Sequence, residues 1–346
     1  MYHTYLTIFI PTAIAFCITV IGTRFMMSYM TESGVVALDH NKKHKPTVPS
    51  GVGIALALGF AMGILVYAAG GSFNLYVPVA SIEYLFAAVI GVLLISLVGL
   101  LDDLNVKREM TNSTDMMDTR KGLKQWQKPL LTLMGAIPLM AVNAGVSVVE
   151  IPFIGYVNFG ILYPLLIVPL AIIFGANAFN LLGGFDGIAT GTGLVAIAGM
   201  LAYSLIFGTY TGTLISAVLF ATLLAFLFYN LYPAKMIPGD SFTYAVGAAI
   251  IIDMILGNME AFGIMVFIPW IIEFILHARK KFKVTDLGKM RADGTFASPY
   301  GKKIYSWTHL IMRIGKPNEW QISAYMWVIE ALFVVLAFVM KSFALL

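Results

Sequence analysis

The sequence predicts an all-α protein, a polytopic membrane helical bundle of about ten transmembrane helices. Three observations predict it. Hydrophobic residues make up 59% of the chain and charged residues only 12%, about half the usual share of a soluble domain. The apolar residues fall in runs near the length of about 20 that a helix needs to cross the hydrocarbon core. The charges, finally, are sorted by side: every Lys and Arg except Lys341 falls at the same set of alternate connections.

The apolar runs cover 5–28, 52–70, 83–101, 127–145, 159–176, 188–207, 212–231, 241–257, 260–277 and 322–345. The first reads as a retained span, because no basic segment precedes it and no small-residue cleavage site follows before Arg24. The shorter runs adjoin glycines such as Gly208 and Gly257, which suit tight helical hairpins. An even number of spans puts both termini on one side. Basic residues mark the cytoplasmic connections, which makes 29–51, 102–126, 177–187, 232–240 and 278–321 cytoplasmic and both termini extracytoplasmic. Lys42, Lys43, Lys45, Lys107, Arg108, Arg120, Lys121, Lys124 and the ten Lys and Arg of 278–321 carry this asymmetry. The opposite connections, 71–82, 146–158, 208–211 and 258–259, read as plain turns. The single cysteine, Cys17, rules out an internal disulfide and reads as an apolar filler. The net charge of +4 follows the membrane sides and gives no reason to expect a nucleic-acid partner. No internal repeat is visible, so the chain reads as a single transmembrane catalytic domain, 1–346, with loop 278–321 folded over the cytoplasmic face as a lid.

The polar residues that could carry chemistry gather at the cytoplasmic boundary. The third span ends in Gly99-Leu100-Leu101-Asp102-Asp103. Two carboxylates at a helix C-terminus meet a dipole end that is already negative, so a cation should compensate them. Mg2+ suits, since it takes a few carboxylates together with phosphate oxygens and water; a solvated helix end is the plainer reading of the pair alone. Asp240 follows Pro238-Gly239 and opens the eighth span. It would serve as an N-cap, and the glycine would let the backbone approach a phosphate closely. Asn177 and Asn180 are spaced to share a helical face, toward a substrate or toward a neighbouring helix. Gly183-Gly184 and Gly187 surround Asp186 in a turn whose N–H groups could cradle an anion. Lys128 opens the fourth span, as an anchor or as a neutraliser of phosphate charge. Together they point to a membrane protein that handles phosphates with a divalent metal.

At these residues the sequence resembles the polyprenyl-phosphate N-acetylhexosamine-1-phosphate transferases. The matching segments are LVGLLDDLNV, QKPLLTLMGAIPLM, NAFNLLGGFDGIATG and FYNLYPAKMIPGDSFTYAVG, in family order and within residues 40 to 280. The resemblance implies attack of a polyprenyl phosphate on the β-phosphorus of a UDP-sugar, giving polyprenyl-diphospho-sugar and UMP. It implies Mg2+, with Mn2+ as an alternative, held by Asp240 with Asp103. It implies catalytic roles for Asp102, Asp103 and Lys128, and substrate binding by Asn177, Asn180 and Asp186. The lid matches the family's variable sugar-recognition loop in position. It lacks the triple-His motif of the peptidoglycan enzymes, whereas Ser306-Trp307-Thr308-His309 is similar to the archaeal branch. Arg279 and His309 are therefore the expected sugar contacts. The expected sugar is N-acetylglucosamine, and the expected lipid is dolichyl phosphate in a plasma membrane. The reaction would open N-glycan lipid-linked oligosaccharide assembly, catalysed by a homodimer. Transfer from another UDP-N-acetylhexosamine, for a cell-envelope polymer, is the alternative.

Two other classes compete. A transporter would use ionisable residues within its spans, and Asp253 and Glu330 are the candidates. Hydrogen bonding between helices, or neutralisation by burial, is the other reading of both. A scaffold or lipid-binding protein gives no reason for Asp102, Asp103, Asp240 and Asn180 to converge.

Overall fold

A computed structural model describes residues 2–104, 123–124, 126–151 and 154–343. Lys107, Arg108, Arg120 and Lys121 lie outside the described residues. Among the described residues, eight helices are long and apolar enough to cross a membrane. They are α1 (Tyr2–Glu32), α2 (Ile54–Ser72) and α3 (Ile82–Leu104), then α7 (Ile188–Ile206), α8 (Tyr210–Asn230), α9 (Asp240–Gly257), α10 (Glu260–Ala278) and α12 (Glu319–Ser342).

The other two predicted spans are altered by proline. The run 127–145 is not one helix: α4 (Gln127–Thr132) passes through a tight turn at Leu133–Gly135 into α5 (Ile137–Ala141). Pro138 has no N–H to donate one turn back, which favours the tightened segment. The run 159–176 opens with a wide turn, Tyr163–Ile167, before α6 (Val168–Phe179). Pro169 likewise cannot close the ordinary helical bond there.

Helix α9 is the axis of the bundle. It packs against α3, α6 and α8, and nearly all its side chains are buried. Small residues allow this. A Cβ on Gly247 would stand 2.4 Å from the carbonyl oxygen of Gly175 on α6, so the two backbones touch, as membrane helices do where side chains vanish. By contrast α1 and α12 show apolar faces outward, with Phe9 67%, Phe25 66% and Val335 58% exposed. Lipid tails are as apolar as these side chains, so the faces need no protein cover.

Among the described residues, three antiparallel strand pairs decorate the bundle. β1 (Val36–Leu38) pairs with β2 (Thr47–Pro49) and holds loop 39–46. The predicted plain turn 146–158 contains a hairpin instead, β3 (Val148–Ile151) with β4 (Gly155–Asn158). The long last loop holds β5 (Lys289–Met290), β6 (Phe296–Ala297) and the amphipathic α11 (Trp307–Ile314). Ser306 caps α11, and Asn318 with Gln321 forms a reciprocal capping box on α12.

Candidate active site

The C-terminal end of α3 and the N-terminal end of α9 meet at the charged end of the bundle. The predicted clash of Asp102 and Asp103 with the dipole of α3 is resolved by two partners. Asp103 accepts the Asp240 N–H at 2.8 Å and the Ser241 N–H at 2.9 Å. It therefore caps α9 from a neighbouring helix, at that helix's positive end. The expected N-cap role of Asp240 passes to this arrangement: Gly239 occupies the cap position with φ +81°, and Asp240 is the first helical residue. Gly239 is required twice over, because a Cβ there would also lie 2.5 Å from an Asp103 carboxylate oxygen.

Asp102 and Asp240 share Lys128. The Nζ donates to Asp102 Oδ2 at 2.7 Å and to Asp240 Oδ2 at 2.9 Å. The other Asp102 oxygen accepts the Leu123 N–H. Two carboxylates thus share one lysine, and a third, Asp103, bonds the backbone N–H of Asp240 beside them. That excess of negative charge, in a set of hard oxygen donors, fits a divalent cation such as Mg2+. Both Asp103 oxygens accept backbone N–H groups and both Asp102 oxygens accept from Lys128 and Leu123, so the expected pair, Asp240 with Asp103, would bind an ion through the lone pairs that remain.

Gly99 makes the approach of α3 and α9 feasible. A Cβ at Gly99 would sit 2.4 Å from the Asp240 carbonyl oxygen and 2.5 Å from Ser241 Cα. Because both are backbone atoms, Gly99→Ala is expected to push the helices apart. The cost is about 1–3 kcal/mol, read as a lower melting temperature with lowered activity.

A cleft of about 430 Å³ opens beside Asp240. It is lined among others by Asn41, Asn180, Gly184, Asp186, Asp240 and Asp286. Asn180 accepts from Thr243 Oγ1 at 2.5 Å through Oδ1, which leaves its NH2 group as a donor for the cleft. Asp186 is held at the Gly-rich turn by Lys42 at 2.7 Å and by the Ala234 N–H at 2.8 Å. Lys42 also contacts Glu319 at 2.6 Å and Asp39 at 3.1 Å. Burial by itself would lower the Lys42 pKa. The hydrogen bonds and charges of Asp186 and Glu319 outweigh it and hold the ammonium above the usual lysine range.

The structure separates the remaining predicted site residues from this cleft. Asn177 donates to Thr132 Oγ1 at 3.1 Å and to the Ile173 carbonyl at 2.8 Å. Thr132 in turn bonds the Lys128 carbonyl at 3.0 Å, so Asn177 braces α4. Arg279 donates to the Ile304 carbonyl at 3.3 Å and lies over the Tyr305 ring. His309 is fully buried. Its Nδ1 accepts the Tyr305 N–H at 3.2 Å, and its Nε2 faces the Thr285 carbonyl at 3.0 Å. These partners fit a neutral ring protonated on Nε2, and burial lowers its pKa. A histidine with a lowered folded pKa supplies stability above its unfolded pKa of about 6.5 that is lost as pH falls. Lowering the pH from 7 to 5 is therefore expected to destabilise the loop. The pH dependence of the melting temperature checks this, and His309→Gln should flatten it.

Loop 39–46 was read in the sequence only for its charges, yet Asn41 lines the cleft and donates to the Gly184 carbonyl. The dense polar run Asp39-His40-Asn41-Lys42 was the available signal. Glu319 was missed because nothing local distinguishes it from an ordinary helix-opening glutamate. Asp253 and Glu330 lie away from the cleft and are fully buried; Asp253 accepts from Ser216 at 2.5 Å.

Comparison with known proteins agrees with this geometry. Residues 85–258 match the glycosyl transferase family 4. The chain is 33% identical over 344 residues to a Saccharolobus solfataricus protein provisionally named UDP-N-acetylglucosamine–dolichyl-phosphate N-acetylglucosaminephosphotransferase, covering 97% of this chain and 98% of that one. It is 23% identical to the Dictyostelium discoideum protein of that name, covering 87% of this chain and 80% of the relative. To the phospho-N-acetylmuramoyl-pentapeptide-transferase of Clostridium botulinum it is 34% identical, but across only 42% of this chain and 45% of that one.

Proposed function

The chain belongs to glycosyl transferase family 4, and we propose that it transfers N-acetylglucosamine-1-phosphate from UDP-N-acetylglucosamine to dolichyl phosphate. The products are dolichyl-diphospho-N-acetylglucosamine and UMP. The observation that carries this reading is the convergence of Asp102, Asp103 and Asp240 around Lys128, beside a cleft that also presents Asn180 and the Gly183-Gly184 turn. The names of the full-length relatives support the sugar and the lipid.

A lipid phosphate oxygen attacks the β-phosphorus. The bond from that phosphorus to the bridging oxygen breaks, and UMP leaves. Attack brings two anions together, so charge is the chief obstacle. Mg2+, or Mn2+ in its place, would be held at the Asp240 carboxylate with its neighbouring aspartates and would supply positive charge against the diphosphate. Asp103 fixes the N-terminus of α9 so that Asp240 stays in place. Lys128 faces both carboxylates and offsets the transition-state charge. Asn180 donates to the diphosphate, and Asp186 with the Gly-rich turn receives the nucleotide. No general base is needed, because a phosphate monoester with a second pKa of about 6 is already largely ionised at neutral pH.

The basic connections support a cytoplasmic position for this end of the bundle and extracytoplasmic termini, in the cell membrane. The nucleotide arrives from water and the lipid stays in the bilayer, so a site at this boundary serves both. Loop 278–321 covers the sugar as a lid. The product is the first lipid-linked sugar of N-glycan assembly.

The reading is tested by incubating purified protein with Mg2+, dolichyl phosphate and UDP-N-acetylglucosamine and extracting lipid-linked sugar. Product that requires all three supports it. Faster turnover with UDP-N-acetylgalactosamine, or with UDP-N-acetylmuramoyl-pentapeptide, would move the sugar assignment. Absence of lipid-linked product with every sugar would sink the reading.

A further inference from the structure

Beyond the cleft, the last loop is tied to α10 by a buried cluster that the proposed reaction does not use. Glu273 and His277 stand one turn apart on α10. The His277 Nε2 meets Glu273 Oε1 at 3.1 Å and Asp286 Oδ1 at 3.0 Å. One ring nitrogen thus faces two carboxylates from different segments. Glu273 is fully buried and His277 is 4% exposed, so Glu273 Oε1 needs that N–H in place of water.

The cluster reaches in two directions. The second Glu273 oxygen accepts the Trp307 N–H at 2.9 Å, at the start of α11. Thr308 Oγ1 donates to the Asp286 carbonyl at 3.0 Å, and His309 meets Thr285. Segment 284–287 is thereby held from both sides, and it lines the cleft. It also lies against the Gly-rich turn: a Cβ on Gly184 would stand 3.2 Å from Asp286 Cβ. The cluster is the direct tie between α10 and this segment; a second, indirect one runs from the Pro269 carbonyl through Trp307 Nε1 at 2.9 Å to α11.

We propose that Glu273, His277 and Asp286 form a clamp that positions segment 284–287 against the Gly183-Gly184 turn and so sets the affinity of the cleft for its nucleotide-sugar. His277 is its central positioning residue. It touches no substrate and acts through Asp286. The affinity part rests on the transferase reading above; the positioning part does not.

The test pairs hydrogen–deuterium exchange with kinetics on the full chain. In His277→Ala, amides of 284–287 and 306–309 are expected to exchange at least about 10-fold faster, while amides of α9 are unchanged. The KM for UDP-N-acetylglucosamine should rise roughly 10-fold, with the KM for dolichyl phosphate unchanged. Asp286→Asn lies outside the spanning helices and serves if the first variant fails to fold. It should give the same pattern, and the double variant should be no worse than the worse single one. Unchanged exchange at 284–287 in both variants overturns the clamp. So does a stoichiometric metal that copurifies with the wild type and is lost in both variants, since the cluster would then be a metal centre. Faster exchange in the variants of a protein that transfers no sugar would keep the clamp and remove the transferase reading.

Discussion

Asp240→Asn is expected to lower turnover by about 10²- to 10³-fold while leaving the protein folded. The substitution is nearly isosteric. The Asn oxygen still accepts from Lys128, which stands 2.9 Å from the native carboxylate, and the Asp103 cap uses the backbone N–H of residue 240, which is untouched. Only the charge is lost. Turnover at saturating substrates measures the effect, and the melting temperature confirms folding. The Mg2+ concentration for half-maximal rate should rise as well, because Asp240 is a proposed ligand of the ion. Turnover near the native value would remove Asp240 from the chemistry and leave it a helix-opening residue.

Lys128→Met is expected to be as damaging, with an added signature in stability. Lys128 is the shared cation of Asp102 and Asp240. Its loss leaves two neighbouring carboxylates without their counter-charge, at a cost of about 2 kcal/mol for groups this far from bulk water. Turnover should fall at least about 10²-fold. The melting temperature without divalent ions should drop, and millimolar Mg2+ should recover more of it than in the native protein, because the ion replaces the missing charge. Lys128→Arg should keep the stability but not the rate, since a planar guanidinium does not reproduce a point charge between two carboxylates. A variant whose melting is indifferent to Mg2+ would contradict the placement of the metal.

The bundle was legible because the membrane imposes simple rules. Length and hydropathy found the eight long helices, and the charge asymmetry gathered their polar ends on one side. The two departures, at 127–145 and 159–176, both turn on proline, whose missing donor reshapes a helix without changing its hydropathy. The pair Asp102-Asp103 was singled out for the right reason, an unfavourable helix end. Its partner could not be read, because the N–H groups that Asp103 caps belong to residues 240 and 241. Sequence patterns report neighbours along one helix, not across two. The same limit hid Asn41 and Glu319, which reach the cleft region through tertiary contacts alone. His309, an expected sugar contact, is folded inward by α11 against Thr285, an orientation that its place in a polar loop did not reveal.

The central claim is that the bond broken lies between the two phosphates of the nucleotide-sugar. The direct measurement supplies UDP-N-acetylglucosamine radiolabelled at the β-phosphorus, with dolichyl phosphate and Mg2+, and follows the label between organic and aqueous phases. Transfer of the phospho-sugar carries the label into the lipid phase and leaves unlabelled UMP in water, the result expected here, and Asp240→Asn should abolish it. Label retained in water as UDP, while the sugar enters the lipid, would mean simple glycosyl transfer and would contradict the mechanism.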